Sequence, residues 1–199
     1  MKTRGATNPV GTERVLKEEN GRGVYLVRDE SGRRTLVKRW PATPWELFKC
    51  GLGIAQAQRQ LRGARRLSAA GVATPAARGR ARLVRAARLV IEIRLDWIEG
   101  ESLLERLTHA DDAEQRRLAG ETTETLRRIA AAGLFHRDAK LSNFIVSSEG
   151  LLVAIDPVGV RRSRDVAEER ERSRASLACE LSATERARCA EFLRGASGA

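Results

Sequence analysis

At 199 residues, with 42% hydrophobic and 32% charged side chains, the chain is long enough to bury a core as one compact domain or two small lobes without disulfide support. Cys50, Cys179 and Cys189 form no paired framework and no Cys-x-x-Cys, and His109 and His136 stand far from any cysteine pair, which argues against a disulfide scaffold and against structural zinc. The net charge of +11 is uneven: residues 1–95 carry 21 Lys and Arg against 7 Asp and Glu, residues 96–199 carry 16 against 19. The basic half could face nucleic acid, an anionic membrane or an acidic substrate, or be a solvated arginine surface. Of the 37 basic residues only five are lysine (2, 17, 38, 49 and 140), so a retained lysine draws attention to its shape.

Met1-Lys2-Thr3-Arg4 is not followed by an apolar stretch, and no apolar run approaches the roughly 18 residues of a membrane helix. The expected location is cytoplasmic, with a peripheral place on a membrane left open. After a loose leader over 1–12, three strands are predicted near 13–18, 23–28 and 34–39 as an antiparallel meander. A Gly21-Arg22-Gly23 turn and an Asp29-Glu30-Ser31-Gly32 cluster separate them, and Pro41 and Pro44 end the run. Residues 45–70 read as helical, broken near Gly51-Leu52-Gly53; Ala57, Leu61, Ala64 and Leu67 recur at helical spacing and Gly71 stops the helix. Two further strands are predicted over 82–97, and Gly100 marks a boundary. Beyond it come a short helix at 102–107 and a longer one opened by an Asp111/Glu114 capping box and ending near Gly133. A hairpin of 143–147 with 151–155 follows, then a charged, mostly helical stretch over 165–195. Strands with one helix, then helices with one hairpin, predict an α+β protein in two lobes, an N-lobe of about 13–98 and a mostly helical C-lobe of about 101–199.

The most specific segment is His136-Arg137-Asp138-Ala139-Lys140-Leu141-Ser142-Asn143, followed thirteen residues after Asn143 by Asp156 at the end of an apolar strand. A hairpin returns Asp156 beside Asn143, so two oxygen ligands converge with room for phosphate oxygens and water, as Mg²⁺ prefers. Asp138 can orient an acceptor hydroxyl and take its proton, and Lys140 can reach a transferring phosphate as a point charge. Phosphoryl transfer asks for such positioning and charge neutralisation. Strand alternation sets Lys38 on the face of Leu36, where an ammonium among apolar neighbours needs a partner charge that nucleotide phosphates would supply. The Gly21-Arg22-Gly23 turn could let backbone N–H groups approach those phosphates, although Leu26 stands where a third glycine would complete Gly-x-Gly-x-x-Gly.

The 136–143 stretch resembles the catalytic loop of the protein-kinase superfamily, His-Arg-Asp-x-x-x-x-Asn, with Ile155-Asp156 in place of the metal-binding Asp of Asp-Phe-Gly; Thr35-Leu36-Val37-Lys38-Arg39 is similar to the strand bearing the kinase lysine. The N-terminal half resembles the bacterial lipopolysaccharide kinases, the Kdo kinases and core heptose kinases. The likeness lies in Val24-Tyr25-Leu26-Val27, in Leu36-Val37-Lys38-Arg39-Trp40, and from Arg59 through Ala70-Gly71-Val72-Ala73-Thr74-Pro75, and it covers about residues 14–158. It implies a two-lobed protein-kinase-like fold binding ATP and Mg²⁺ in the interlobe cleft, with residues near Asp96 to Ile98 beside the adenine. It also implies transfer of phosphate to a sugar hydroxyl of the lipopolysaccharide inner core, and the basic first half suits an anionic glycolipid and membrane surface.

Three departures bear on this. Gln60 stands where the family's helix carries the Glu that pairs with the strand lysine, so lysine positioning is expected to be weaker. Pro157-Val158-Gly159 follows Asp156, and no Ala-Pro-Glu-like segment follows, which disfavours a peptide platform. The alternatives are an atypical small protein or antibiotic kinase and a nucleotide-binding pseudokinase. Nucleic-acid binding rests on charge alone, without an aromatic platform, and is not expected.

Overall fold

The structure, a computed structural model, describes residues 8–163, 165, 172–173, 175–177 and 179–197. It is an α+β protein of antiparallel sheets and several helices. The chain divides into two compact units, residues 1–62 with 75–97 and residues 63–74 with 98–199.

The first unit is built on a five-stranded sheet of β1 (Thr12–Glu19), β2 (Arg22–Arg28), β3 (Arg34–Pro41), β4 (Arg82–Arg85) and β5 (Leu89–Asp96), in the order β1-β2-β3-β5-β4. The meander expected over 13–39 is present with strands a residue or two longer. Its first turn, however, is Asn20-Gly21, with φ of 49° and 74°, and Arg22 and Gly23 already pair within β2. Two consecutive left-handed residues match the right-handed twist of the flanking strands, so this two-residue turn replaces the predicted Gly21-Arg22-Gly23 turn. Helix α1 (Pro44–Gly51) starts at Thr43, whose hydroxyl accepts from Glu46 N at 3.2 Å, with Pro44 at its first turn where a missing N–H costs nothing. Helix α2 (Gln56–Ala69) follows, with the break where the glycines predict it.

One face of the sheet carries Trp40, Ile91, Ile93 and Leu95, which cluster with Ala57 and Leu61 of α2. The opposite face carries Tyr25, Val27 and Val37. Beside them the buried Arg39 guanidinium binds the Glu92 carboxylate at 2.7 Å, and Arg82 and Arg94 reach the same carboxylate. Burial alone would raise the Glu92 carboxyl; hydrogen bonds from Arg82, Arg94 and Arg39 outweigh it and hold it down to about 2.

In the second unit, β6 (Gly100–Ser102), β8 (Phe144–Ser147) and β9 (Leu152–Ala154) form one antiparallel sheet in the order β6-β8-β9. β7 (Leu134–His136) pairs with β10 (Val160–Arg162). Helices α3 (Leu103–His109) and α4 (Asp112–Ala131) lie where the sequence predicts them. Asp111 caps α4 by accepting from Glu114 N at 2.8 Å, but the Glu114 carboxylate turns to Arg106 and Arg117 instead of closing the capping box. A complete box stands at Ser102 and Glu105, opening α3. Of the stretch expected to be helical over 165–195, residues 172–173 and 175–177 are helical, as are α5 (Ala183–Arg188) and α6 (Ala190–Ser197). Residues 166–171, 174 and 178 lie outside the described residues.

The core of this unit joins Leu103, Leu107, Leu118, Leu126, Ile129, Phe144 and Phe192 around the loop that carries Asp138. Among the described residues, no helix is long and apolar enough to cross a membrane.

Candidate functional site

In the second unit, β7 ends in His136, a fully buried residue, and the chain then forms the loop to β8. Ala139 and Leu141 are both fully buried in the core, so the loop is pinned on either side of Lys140. Just before the first of these anchors, Asp138 keeps its side chain 42% exposed. Asn143 Nδ2 donates to the Asp138 carbonyl at 2.7 Å, a bond that closes the loop and leaves Oδ1 as the amide atom able to ligate a cation. The β8–β9 hairpin pairs Phe144 with Ala154, and Ile155 N then donates to Asn143 O at 2.8 Å. Asp156 therefore follows directly beside Asn143, as the spacing predicts.

Asp156 itself has φ 51° and ψ 55°, a left-handed conformation that a non-glycine residue adopts at a cost. It redirects the chain into the single turn Pro157–Gly159, from which Val160 pairs back onto His136. That return brings Gly159 against the loop that follows β7: a methyl group at Gly159 would sit 3.2 Å from Asp138 Oδ2. Asp138, Lys140, Asn143 and Asp156 thus belong to one local arrangement. Burial pushes the His136 imidazole pKa down while the carboxylates of Asp138 and Asp156 pull it up, so both acidic groups act electrostatically on this one ring.

In the first unit, Lys38 lies half-buried on the β3 face that also carries Leu36 and Trp40. Its ammonium donates to Gln60 Oε1 at 3.3 Å, the pairing expected from the sequence. Gln60 is buried, and its Nε2 has no hydrogen-bond partner. Gln thus supplies Lys38 with an acceptor but no charge.

The remaining candidates lie outside this loop. Gly21 sits in the hairpin turn with the Arg88 guanidinium against it, and Gly23 is a strand residue against which the Tyr25 ring packs where a Cβ would be. Asp96 closes β5, receives Arg78 Nε at 2.6 Å and pairs with Arg33 at 3.4 Å; Ile98 opens the second unit.

Three contributors to the loop were not legible in the sequence. Glu180 accepts from both Ser142 N, at 2.9 Å, and Ser142 Oγ, at 2.6 Å, and so ties the loop down from 38 residues away. Arg66 Nη1 donates to Val160 O at 3.2 Å. Gly63 lies against Pro157, where a methyl group would meet the Pro157 carbonyl carbon at 2.8 Å and its oxygen closer still. None has a local signal, because each depends on a partner distant in sequence.

The donor set of Asn143 and Asp156 is one amide oxygen and one carboxylate, hard ligands that fit Mg²⁺ sharing its shell with phosphate and water. Among the described residues no group of three or more His, Cys, Asp and Glu converges as a self-sufficient metal cage. No protein family's sequence profile matches the chain, and no curated protein matches it.

Proposed function

We propose that the chain is an ATP-dependent phosphotransferase of the two-lobed protein-kinase-like kind, acting on a hydroxyl of a sugar or glycolipid. The observation that carries this reading is the local convergence of Asp138, Asn143 and a left-handed Asp156, held by the Asn143 Nδ2 to Asp138 O and Ile155 N to Asn143 O bonds. Support from the first unit is Lys38, a half-buried strand ammonium that donates to the neutral Gln60 amide oxygen at 3.3 Å, a cation of the kind that binds phosphate. Asn143 and Asp156 would hold Mg²⁺, which supplies neutralisation of the phosphate charge. Asp138 orients the acceptor hydroxyl and takes its proton as the oxygen bonds to the γ-phosphorus and the bridging oxygen leaves with ADP. Lys140, two residues on, offsets the charge on the transferred group. The lipopolysaccharide inner core is the acceptor to try first, on the resemblance over about residues 14–158 together with the basic character of residues 1–95.

The test is incubation with γ-labelled ATP and Mg²⁺, offering lipopolysaccharide precursors, free sugars and proteins in parallel. Label is expected in the glycolipid and to vanish with Asp138→Ala while ATP still binds. Label in protein alone would overturn the glycan acceptor, and equal turnover by Asp138→Ala would overturn the base. Nucleotide binding without transfer to any acceptor would favour the pseudokinase reading that Gln60 raises.

A further inference from the structure

Helix α1 buries none of its residues. Its Trp45 and Phe48 are 62% and 55% exposed, and Leu52 and Ile54 in the following turn are 58% and 51% exposed. A helix on a globular surface ordinarily turns its apolar side chains inward. Here the two aromatic rings stack on each other at 5.5 Å in solvent, and the Lys49 ammonium lies 5.3 Å from the Trp45 ring. Four large apolar side chains within ten residues, left in water, mark a contact surface.

The charge around them selects the partner. Glu46 is the sole carboxylate of residues 42–62 and is paired with Lys49 at 2.8 Å, while Arg59 and Arg62 add two further cations. The whole first unit holds 19 Lys and Arg against 8 Asp and Glu, a net +11. Four side chains fall well short of the roughly 800 Å² per partner of a stable protein interface. A tryptophan, a phenylalanine and two aliphatic residues on a strongly cationic body instead match the boundary of an anionic bilayer, where shallow apolar insertion and charge attraction act together.

We infer that α1 and the turn after it, through Trp45, Phe48, Leu52 and Ile54, form a docking surface for an anionic lipid bilayer. The inference stands apart from phosphate transfer, and its test contains no nucleotide. The full chain is sedimented with vesicles of phosphatidylcholine alone or with about 30% phosphatidylglycerol, alongside the Trp45→Ser/Phe48→Ser double variant. Because both side chains are exposed, the variant should keep its circular dichroism and melting temperature. Wild type is expected to bind the phosphatidylglycerol vesicles at least about tenfold more strongly than phosphatidylcholine, and the double variant to lose at least about tenfold of that binding. Brominated lipid should also quench the wild-type tryptophan emission, a readout that needs no variant. Undiminished binding by the double variant, no binding to either vesicle, no quenching, or self-association of the wild type that the double variant loses would each overturn the proposal.

Discussion

Replacing Gly63 with alanine sets two effects against each other. Gly63 lies inside α2, where exchanging glycine for alanine ordinarily stabilises a helix by about 1 kcal/mol. The added methyl, however, would meet the Pro157 carbonyl carbon at 2.8 Å and its oxygen closer still. Pro157 cannot yield cheaply. It is buried, the Ile155 N to Asn143 O bond at 2.8 Å precedes it, and Val160 pairs with His136 just after it. Overpacking against such a fixed backbone falls in the upper part of the usual range, at about 2–3 kcal/mol, so the net change is a destabilisation of about 1–2 kcal/mol. For a chain of this size that lowers Tm by roughly 2–8 °C. The same displacement moves Asp156, and a 1 Å misplacement of a positioning group can cost about 10²-fold in rate. Thermal unfolding and initial rates of labelled-phosphate transfer read the two effects separately. A Gly63→Ala protein that melts higher than wild type with unchanged turnover would refute the close packing and the role given to it.

Gln60→Glu gives Lys38 a charged partner at the observed 3.3 Å; transfer at limiting ATP is expected to rise about fivefold, from a gain of roughly 1 kcal/mol, and a fall would contradict the positioning role. Glu92→Leu strands the buried Arg39 and should destabilise by about 3–5 kcal/mol in urea unfolding, with the Arg39→Leu/Glu92→Leu pair recovering part of the loss; a cost for the single variant below about 1 kcal/mol would show the network to be dispensable. His136 makes stability fall as pH drops below 6.5. The unfolded imidazole takes up a proton there, while the buried folded one, with its pKa lowered, does not, so the unfolded state binds more protons. Unfolding at pH 7 and pH 5.5 should register this slope, and His136→Leu should flatten it; an unchanged slope in the variant would assign it to other groups.

Elements governed by local chemistry were legible in the sequence. The β2–β3 strands followed from period-2 alternation around Asp29–Gly32, α2 from Ala57, Leu61, Ala64 and Leu67, and the β8–β9 hairpin from its apolar runs around Gly150. The proximity of Asp138, Asn143 and Asp156 along the backbone is legible because a loop and a hairpin, both short-range, define their relation. What failed was long-range or compensated. Arg39 and Glu92 are buried because each supplies the other's counter-ion, and nothing local to either residue announces that pairing across 53 positions. Helix α2 contributes to two cores, Ala57 and Leu61 to that of the first unit and Leu67 to that of the second, a division that periodicity does not specify. Asn20 supplies the first turn with a left-handed residue, a role that asparagine shares with glycine.

The proposed function requires that Asn143 and Asp156 hold Mg²⁺ beside a bound nucleotide. Isothermal titration of ATP into the wild type, with Mg²⁺ and with EDTA, and into Lys38→Ala and Asp156→Ala, tests it most directly. Binding is expected to strengthen with Mg²⁺ in the wild type, to lose that Mg²⁺ dependence in Asp156→Ala, and to weaken at least about tenfold in Lys38→Ala. Binding indifferent to Mg²⁺ and to both substitutions would contradict it.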